Sequence, residues 1–219
     1  MTDLSGAVVL VVGASGGLGS RITALLSAAG ATVITASRAS GWDLRDGAMP
    51  TSLVGVVERE HGRLDGLVIT AGVVAFGAAD EVSDETVDEL FAVNAAGPIR
   101  LIRAASALLK ASSAEGRSPF VVTLSGVVAE SPTAGMAAYS ASKAALAAFV
   151  SAASRELRRA GVRLLDARPG HIETELSTHP IAGSAPRLRA GLSPDAVAER
   201  IVKAVVDGER DLPSSAFAG

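Results

Sequence analysis

Five short runs of apolar, mostly branched residues recur along the chain: AVVLVV over 7–12, TVIT over 32–35, GLVIT over 66–70, PFVVTL over 119–124 and VRLLDA over 162–167. They are short and largely apolar throughout, which predicts strands buried on both faces of a parallel sheet. Alanine- and leucine-rich stretches with helical spacing lie between them, from Gly19 to Ala29, Asp84 to Leu109 and Ala138 to Ala160. Ser83, ahead of an acidic first turn, reads as an N-cap. Ser193-Pro194-Asp195 reads as a cap and a first-turn proline opening a further helix to about Val206. Strand and helix alternate, so the predicted fold is α/β: one domain over 1–219, a doubly wound parallel sheet with helices on both faces. The stretch from Ser177 to Leu192 lacks apolar periodicity and reads as a long loop, of the kind that often carries function.

Composition narrows the class. Hydrophobic residues make up 48% of the chain and charged residues 20%, which is a globular balance. The net charge is −3 and no basic block occurs, so neither nucleic acid nor an anionic membrane is an expected partner. The absence of cysteine excludes disulfides, thiolate chemistry and cysteine-held metals. His61, His171 and His179 show no ligand spacing, so no metal is expected. The apolar run near the start is too short to span a membrane and has no basic flank. The expectation is a soluble, cytoplasmic protein.

The stretch VVLVVGASGGLGSRITALL places a strand, a glycine-rich turn and a helix in succession. Gly13, Gly17 and Gly19 are spaced G-x3-G-x-G, with Ser15, Gly16 and Leu18 between them. Glycines allow a tight turn and close approach to a pyrophosphate, and the helix N-terminus offers free N–H groups. An acidic residue at the end of the second strand would bind NAD ribose hydroxyls. Ser37 and Arg38 stand there instead. A hydroxyl and a guanidinium suit a 2′-phosphate, so the expected cofactor is NADP(H), ahead of NAD(H).

Tyr139 is the chain's one tyrosine, and Lys143 is one of three lysines beside seventeen arginines. Four residues apart on a helix, they share a face. A cation beside a phenol favours the phenolate, and lowering its pKa by about 3 units takes roughly 4 kcal/mol. Such a phenol can give a proton to a carbonyl, or take one from an alcohol, near neutral pH.

Taken together, the glycine turn and Tyr-x3-Lys resemble the short-chain dehydrogenase/reductase family over nearly the whole chain. LDGLVITAG resembles the family's strand ending in Asn-Asn-Ala-Gly, with Thr70, Ala71 and Gly72 in the corresponding places. Asn94 in FAVNAAG matches the family's helix asparagine, and ARPGHIET its Pro-Gly-x3-Thr segment. The resemblance implies a Rossmann-type sheet and an oxidoreductase acting on a small carbonyl or alcohol. Tyr139 is then the acid/base, Lys143 its modulator and ribose ligand, and Asn94 the holder of a relay water. Pro169, Gly170, Ile172 and Thr174 are implied to line the nicotinamide, and Asp43 with Leu44 to face the adenine. A homodimer or homotetramer is also implied, and the small faces of 84–109 and 138–160 suit a two-fold axis.

Two departures stand out. Thirteen residues before the tyrosine, where the family has a serine that polarises the carbonyl, this chain has Gly126; Ser125 is one position early. Adjacent strand residues face opposite ways. Either a bulge re-aims Ser125, or Ser125 is structural and another polar group serves, with Ser131 a weaker candidate. Secondly, only Ala39 to Trp42 separates Arg38 from Asp43, where the family spends a helix and a strand, so the adenine pocket is expected to be shallow, with Trp42 beside it or packed on the surface. Over 171–192, the expected substrate loop, His171 is the better contact candidate than His179, and Arg187 and Arg189 suit either solvent or an anionic substrate. Met136 and Ile181 suit a small apolar pocket. An NADP(H)-sensing protein without useful catalysis is the alternative from another class; a methyltransferase is disfavoured by Arg38.

Overall fold

The computed structural model describes residues 1–187 and 189–217; Leu188 of the 171–192 loop, Ala218 and Gly219 lie outside the described residues. Five parallel strands, β1 (Val8–Val12), β2 (Thr32–Ala36), β3 (Gly66–Ile69), β4 (Phe120–Leu124) and β5 (Arg163–Ala167), form one sheet in the order β2-β1-β3-β4-β5. The strand order reverses beside β1, which opens a crevice at the carboxyl ends of β1 and β3.

Strand alternation feeds two cores. Leu10, Leu67, Val121 and Leu164 face α2 (Met49–His61), α4 (Gly97–Ala114) and α5 (Ala137–Arg158). Val9, Val11, Val68, Val122 and Leu165 face α1 (Gly17–Ala28) and α6 (Pro194–Asp207). The doubly wound α/β sheet expected from the strand–helix alternation is therefore present.

Three elements differ from the sequence expectation. β2 is not buried on both faces: Thr32 and Thr35 are exposed because β2 is the sheet edge. The helix expected over 84–109 is divided into α3 (Asp84–Phe91), a π-helical turn over Ala92–Ala96, and α4. Finally, α2 fills a stretch to which the periodicity assigned nothing. After β2 the chain makes only a single 3-10 turn at Arg38–Ser40, which accounts for the shortened region. The expected caps are present: Ser83 accepts from the Thr86 N–H at 3.3 Å, and Ser193 from the Ala196 N–H at 3.5 Å.

Candidate active site

The glycine turn is fixed by what crosses it. Gly13 has φ +90°, and a Cβ there would lie 2.5 Å from the Ala71 nitrogen. A Cβ on Gly19 would lie 2.2 Å from the Gly13 carbonyl oxygen. Neither position can carry a side chain without displacing backbone. The Gly13 N–H donates to the Ala36 carbonyl at 2.8 Å, tying the turn to the end of β2. No side chain caps α1, so the Gly17, Leu18 and Gly19 N–H groups have no partner among the described residues. Ser15, Gly16 and Gly17 are exposed. Thr174 comes to the same place: a Cβ on Gly17 would sit 3.0 Å from its methyl. These features suit a pyrophosphate on a helix N-terminus.

Arg38 is exposed and forms no ion pair among the described residues, while Ser37 and Ser40 brace the turn beneath it. An unspent guanidinium at that spot fits a phosphate. Asp43 is already engaged, because the Arg45 side-chain hydrogen bond holds its carboxyl below the usual range against desolvation by burial. The Leu44 side chain is buried against Gly97 and belongs to the core. Trp42 also packs against the core.

The second half of the site is a buried polar knot. Asn94, 1% exposed, receives the Val73 N–H at 3.0 Å and donates to the Val73 carbonyl at 2.9 Å and to Ser142 Oγ at 3.0 Å. The π-helical turn sets the asparagine at this angle; π-turns are frequent at functional sites. Lys143 Nζ donates to the Leu124 carbonyl at 2.8 Å and lies 5.8 Å from the centre of the Tyr139 ring. Gly72 makes room for both: a Cβ there would sit 3.2 Å from Asn94 Oδ1 and 3.3 Å from Lys143 Nζ. Asn94, Tyr139 and Lys143 are thus brought together beside Ala71 and Gly72.

The electrostatics differ from the expectation that Lys143 lowers the Tyr139 pKa. Burial pushes the Tyr139 phenol up to about 12. Burial likewise pulls Lys143 down to about 8, opposed by the negative charge of Asp166. Desolvation is the largest cause at both side chains.

Ser125 is not brought to the cleft. Its side chain is fully buried and Oγ donates to Asp166 Oδ2 at 2.5 Å, while Gly126 opens the next turn at φ +74°. The hydroxyl is engaged by Asp166. Asp166, missed in the sequence reading, stood as the one acid of a strand that otherwise holds Arg163 and apolar residues. Ser131 is exposed.

Two backbone hydrogen bonds join the segment after β5 to the segment after β3. Ile181 N–H donates to the Val74 carbonyl at 2.8 Å, and Phe76 N–H to the Ala182 carbonyl at 3.0 Å. Phe76 and Met136 flank Tyr139. Ile172 pairs with Leu192, and His171 packs on Gly191 with its Nε2 3.8 Å from Glu173. His179, Arg187 and Arg189 are exposed. Pro169 and Gly170 link β5 to this segment, and the Pro169 carbonyl accepts from the Val127 N–H at 2.8 Å. A cavity of about 1100 Å³ lies elsewhere, between α5 and the outer edge of β5. It is an open groove without Tyr139, Lys143 or the glycine turn, so the chemistry locates the site and the volume does not. Among the described residues, no group of metal-ligating side chains occurs, and no helix is long and apolar enough to cross a membrane.

The comparisons agree with this geometry. The family model for short chain dehydrogenases matches residues 35–182. The chain is 32% identical over 184 residues to 2,3-dihydro-2,3-dihydroxybenzoate dehydrogenase of Escherichia coli, covering 80% of this chain and 73% of that one. A 3-ketoacyl-(acyl-carrier-protein) reductase from Brucella melitensis, complexed with NADH, superposes with a TM-score of 0.85 at 20% identity, covering 98% and 100% of the two chains. A short chain dehydrogenase from Burkholderia cenocepacia in complex with NADP gives 0.84 at 23%, covering 98% and 90%. The chain belongs to the short-chain dehydrogenase/reductase family of oxidoreductases.

Proposed function

We propose that this protein is an NADP(H)-dependent reductase of a small carbonyl compound, or dehydrogenase of the matching alcohol. The observation that carries the reading is the meeting of Tyr139, Lys143 and Asn94 beside an uncapped glycine turn. The bound cofactor supplies the hydride. Residues 13–19 would hold its pyrophosphate, Ser37 and Arg38 its 2′-phosphate, and Asp43 with the Leu44 backbone would face the adenine. Ala71 and Gly72 lie along the ribose and nicotinamide, with Pro169, Gly170, Ile172 and Thr174 on the far side. The structures named above, with NADH and NADP, support a dinucleotide; Arg38 supports the phosphorylated form.

Tyr139 donates its proton to the carbonyl oxygen, or accepts one from the alcohol. Burial pushes the phenol up to about 12, so it holds its proton at neutral pH. Lys143 orients the ribose and draws the phenol down once it turns from the Leu124 carbonyl. Asn94 holds the water that carries the proton onward. Ser125 is structural, and Tyr139 is the donor to the substrate oxygen. The loop over 171–192 covers the substrate. The molecule acts as a homodimer or homotetramer in the cytoplasm, on small molecules and not on nucleic acid or membrane.

The test is turnover of a broad carbonyl panel with NADPH. Reduction that Tyr139→Phe abolishes supports the proposal; no turnover of any carbonyl by the native protein overturns it. The inward turn of Ser125 and the glycine at 126 favour a second reading, an NADP(H)-sensing protein. Tight NADPH binding without any reduction would select it.

A further inference from the structure

Among the described residues two carboxylates are buried, Asp65 and Asp166, and they lie at opposite ends of the sheet. Asp65 ties the N-terminal ends together through the Val8 N–H and Ser112 Oγ. Asp166 sits at the carboxyl end of β5, on the face covered by α5. It accepts Thr123 Oγ1 on Oδ1 at 2.7 Å and Ser125 Oγ on Oδ2 at 2.5 Å. Thr123 and Ser125 flank Leu124, and the Leu124 carbonyl is the acceptor of Lys143 Nζ. One carboxylate therefore grips the residues on both sides of the peptide that holds the lysine.

We propose that Asp166 is the positioning residue of Lys143: it fixes the Leu124 carbonyl through Thr123 and Ser125 and supplies negative charge beneath the ammonium. The inference rests on the role given to Lys143 above. It also explains why Ser125 points inward: its hydroxyl is one jaw of the grip. Period-two alternation puts Thr123 and Ser125 on the face of β4 that meets Asp166. A buried lysine needs such support, because an ammonium without a partner charge costs far more to bury than one with it.

The charged and titratable groups around the pair are few. Tyr139 and Lys143 come from α5. Arg168, beyond β5, reaches Asp166 Oδ2 at 3.3 Å and also binds Glu130 at 2.5 Å and Asp211 at 2.8 Å. Arg168 is thus shared among three acids, so the Asp166 charge is only partly spent on it. The β3 loop and the π-helical turn present Gly72 and Asn94, which are neutral.

The experiment reads Lys143 itself. With only Lys110, Lys143 and Lys203 in the chain, ¹³C-lysine labelling gives three Cε resonances to titrate by NMR, without added cofactor. Lys143 is expected to titrate near pH 8 in the native protein. Asp166→Asn lowers that midpoint by about one unit, a tenfold change in protonation, because a stabilising charge is gone. Arg168→Met raises it, because the carboxylate is no longer shared. Merely loosening the site would admit water and raise the midpoint in both variants. An unchanged or raised midpoint in Asp166→Asn overturns the proposal. If that variant does not fold, an unchanged or lowered midpoint in Arg168→Met does so. The titration needs no turnover, so it stands apart from the Tyr139→Phe assay, which alone decides the reductase reading.

Discussion

At Tyr139 and Lys143, burial moves both side chains towards their neutral forms, up to about 12 and down to about 8. Stability must then vary with pH. Between about pH 8 and 10 the unfolded chain holds a proton on lysine that the native chain has lost, so native stability rises with pH. Above the ordinary tyrosine range the native phenol keeps a proton the unfolded one loses, and stability falls. The lysine part amounts to at most about 3 kcal/mol. Urea melts should show this rise in the native protein and its loss in Lys143→Met; a flat difference between the two would contradict it. A second expectation concerns Gly72. A methyl there presses on Asn94 Oδ1 and Lys143 Nζ, so Gly72→Ala should cut kcat roughly tenfold to a hundredfold. Unchanged kcat would mean the knot can give way freely. The pair itself was legible from four-residue spacing and scarcity. The sign of the pKa shifts was not, because spacing shows who shares a helix face and says nothing of how dry that face is. Asp166 had a readable signal, an acid within a short strand, but its partners lie on another strand, and register is set only on folding.

Among the elements, the turn after β2 carries the proposed preference for NADP(H). Arg38 is free of ion pairs among the described residues and lies two residues after Ala36, whose carbonyl accepts the Gly13 N–H. Losing a charge-assisted fork to phosphate should raise the KM for NADPH roughly tenfold to a hundredfold in Arg38→Ala, leaving NADH nearly unchanged. Equal losses for the two cofactors would take Arg38 out of the 2′-phosphate site. The glycine turn, the strands and the caps at Ser83 and Ser193 were legible because each is local chemistry. The π-helical turn at 92–96 was not, since one extra residue in a turn leaves the apolar periodicity of 84–109 nearly intact. α2 was hidden for another reason. Pro50, Gly55 and the branched Val54, Val56 and Val57 dilute its helical signal, and packing of Leu53 and Val57 into the core forms it.

For the whole molecule, the five-stranded order with its reversal beside β1 brings residues 13–19, 38, 72, 94, 139 and 143 to one edge of the sheet. The alternation of strands and helices implied that edge, but the sequence left open which hydroxyl would reach it. The small faces of α4 and α5 suit packing between subunits, and sedimentation equilibrium should show dimers or tetramers at micromolar concentration; monomer alone would remove that part of the proposal. The central claim is that Tyr139 transfers the proton in an NADPH-dependent carbonyl reduction. Its most direct measurement is the single-turnover rate of NADPH oxidation with a carbonyl substrate, native protein against Tyr139→Phe. The account predicts turnover in the native protein and a loss of at least about a hundredfold in the variant, with NADPH still bound. Equal rates in the two proteins would contradict it.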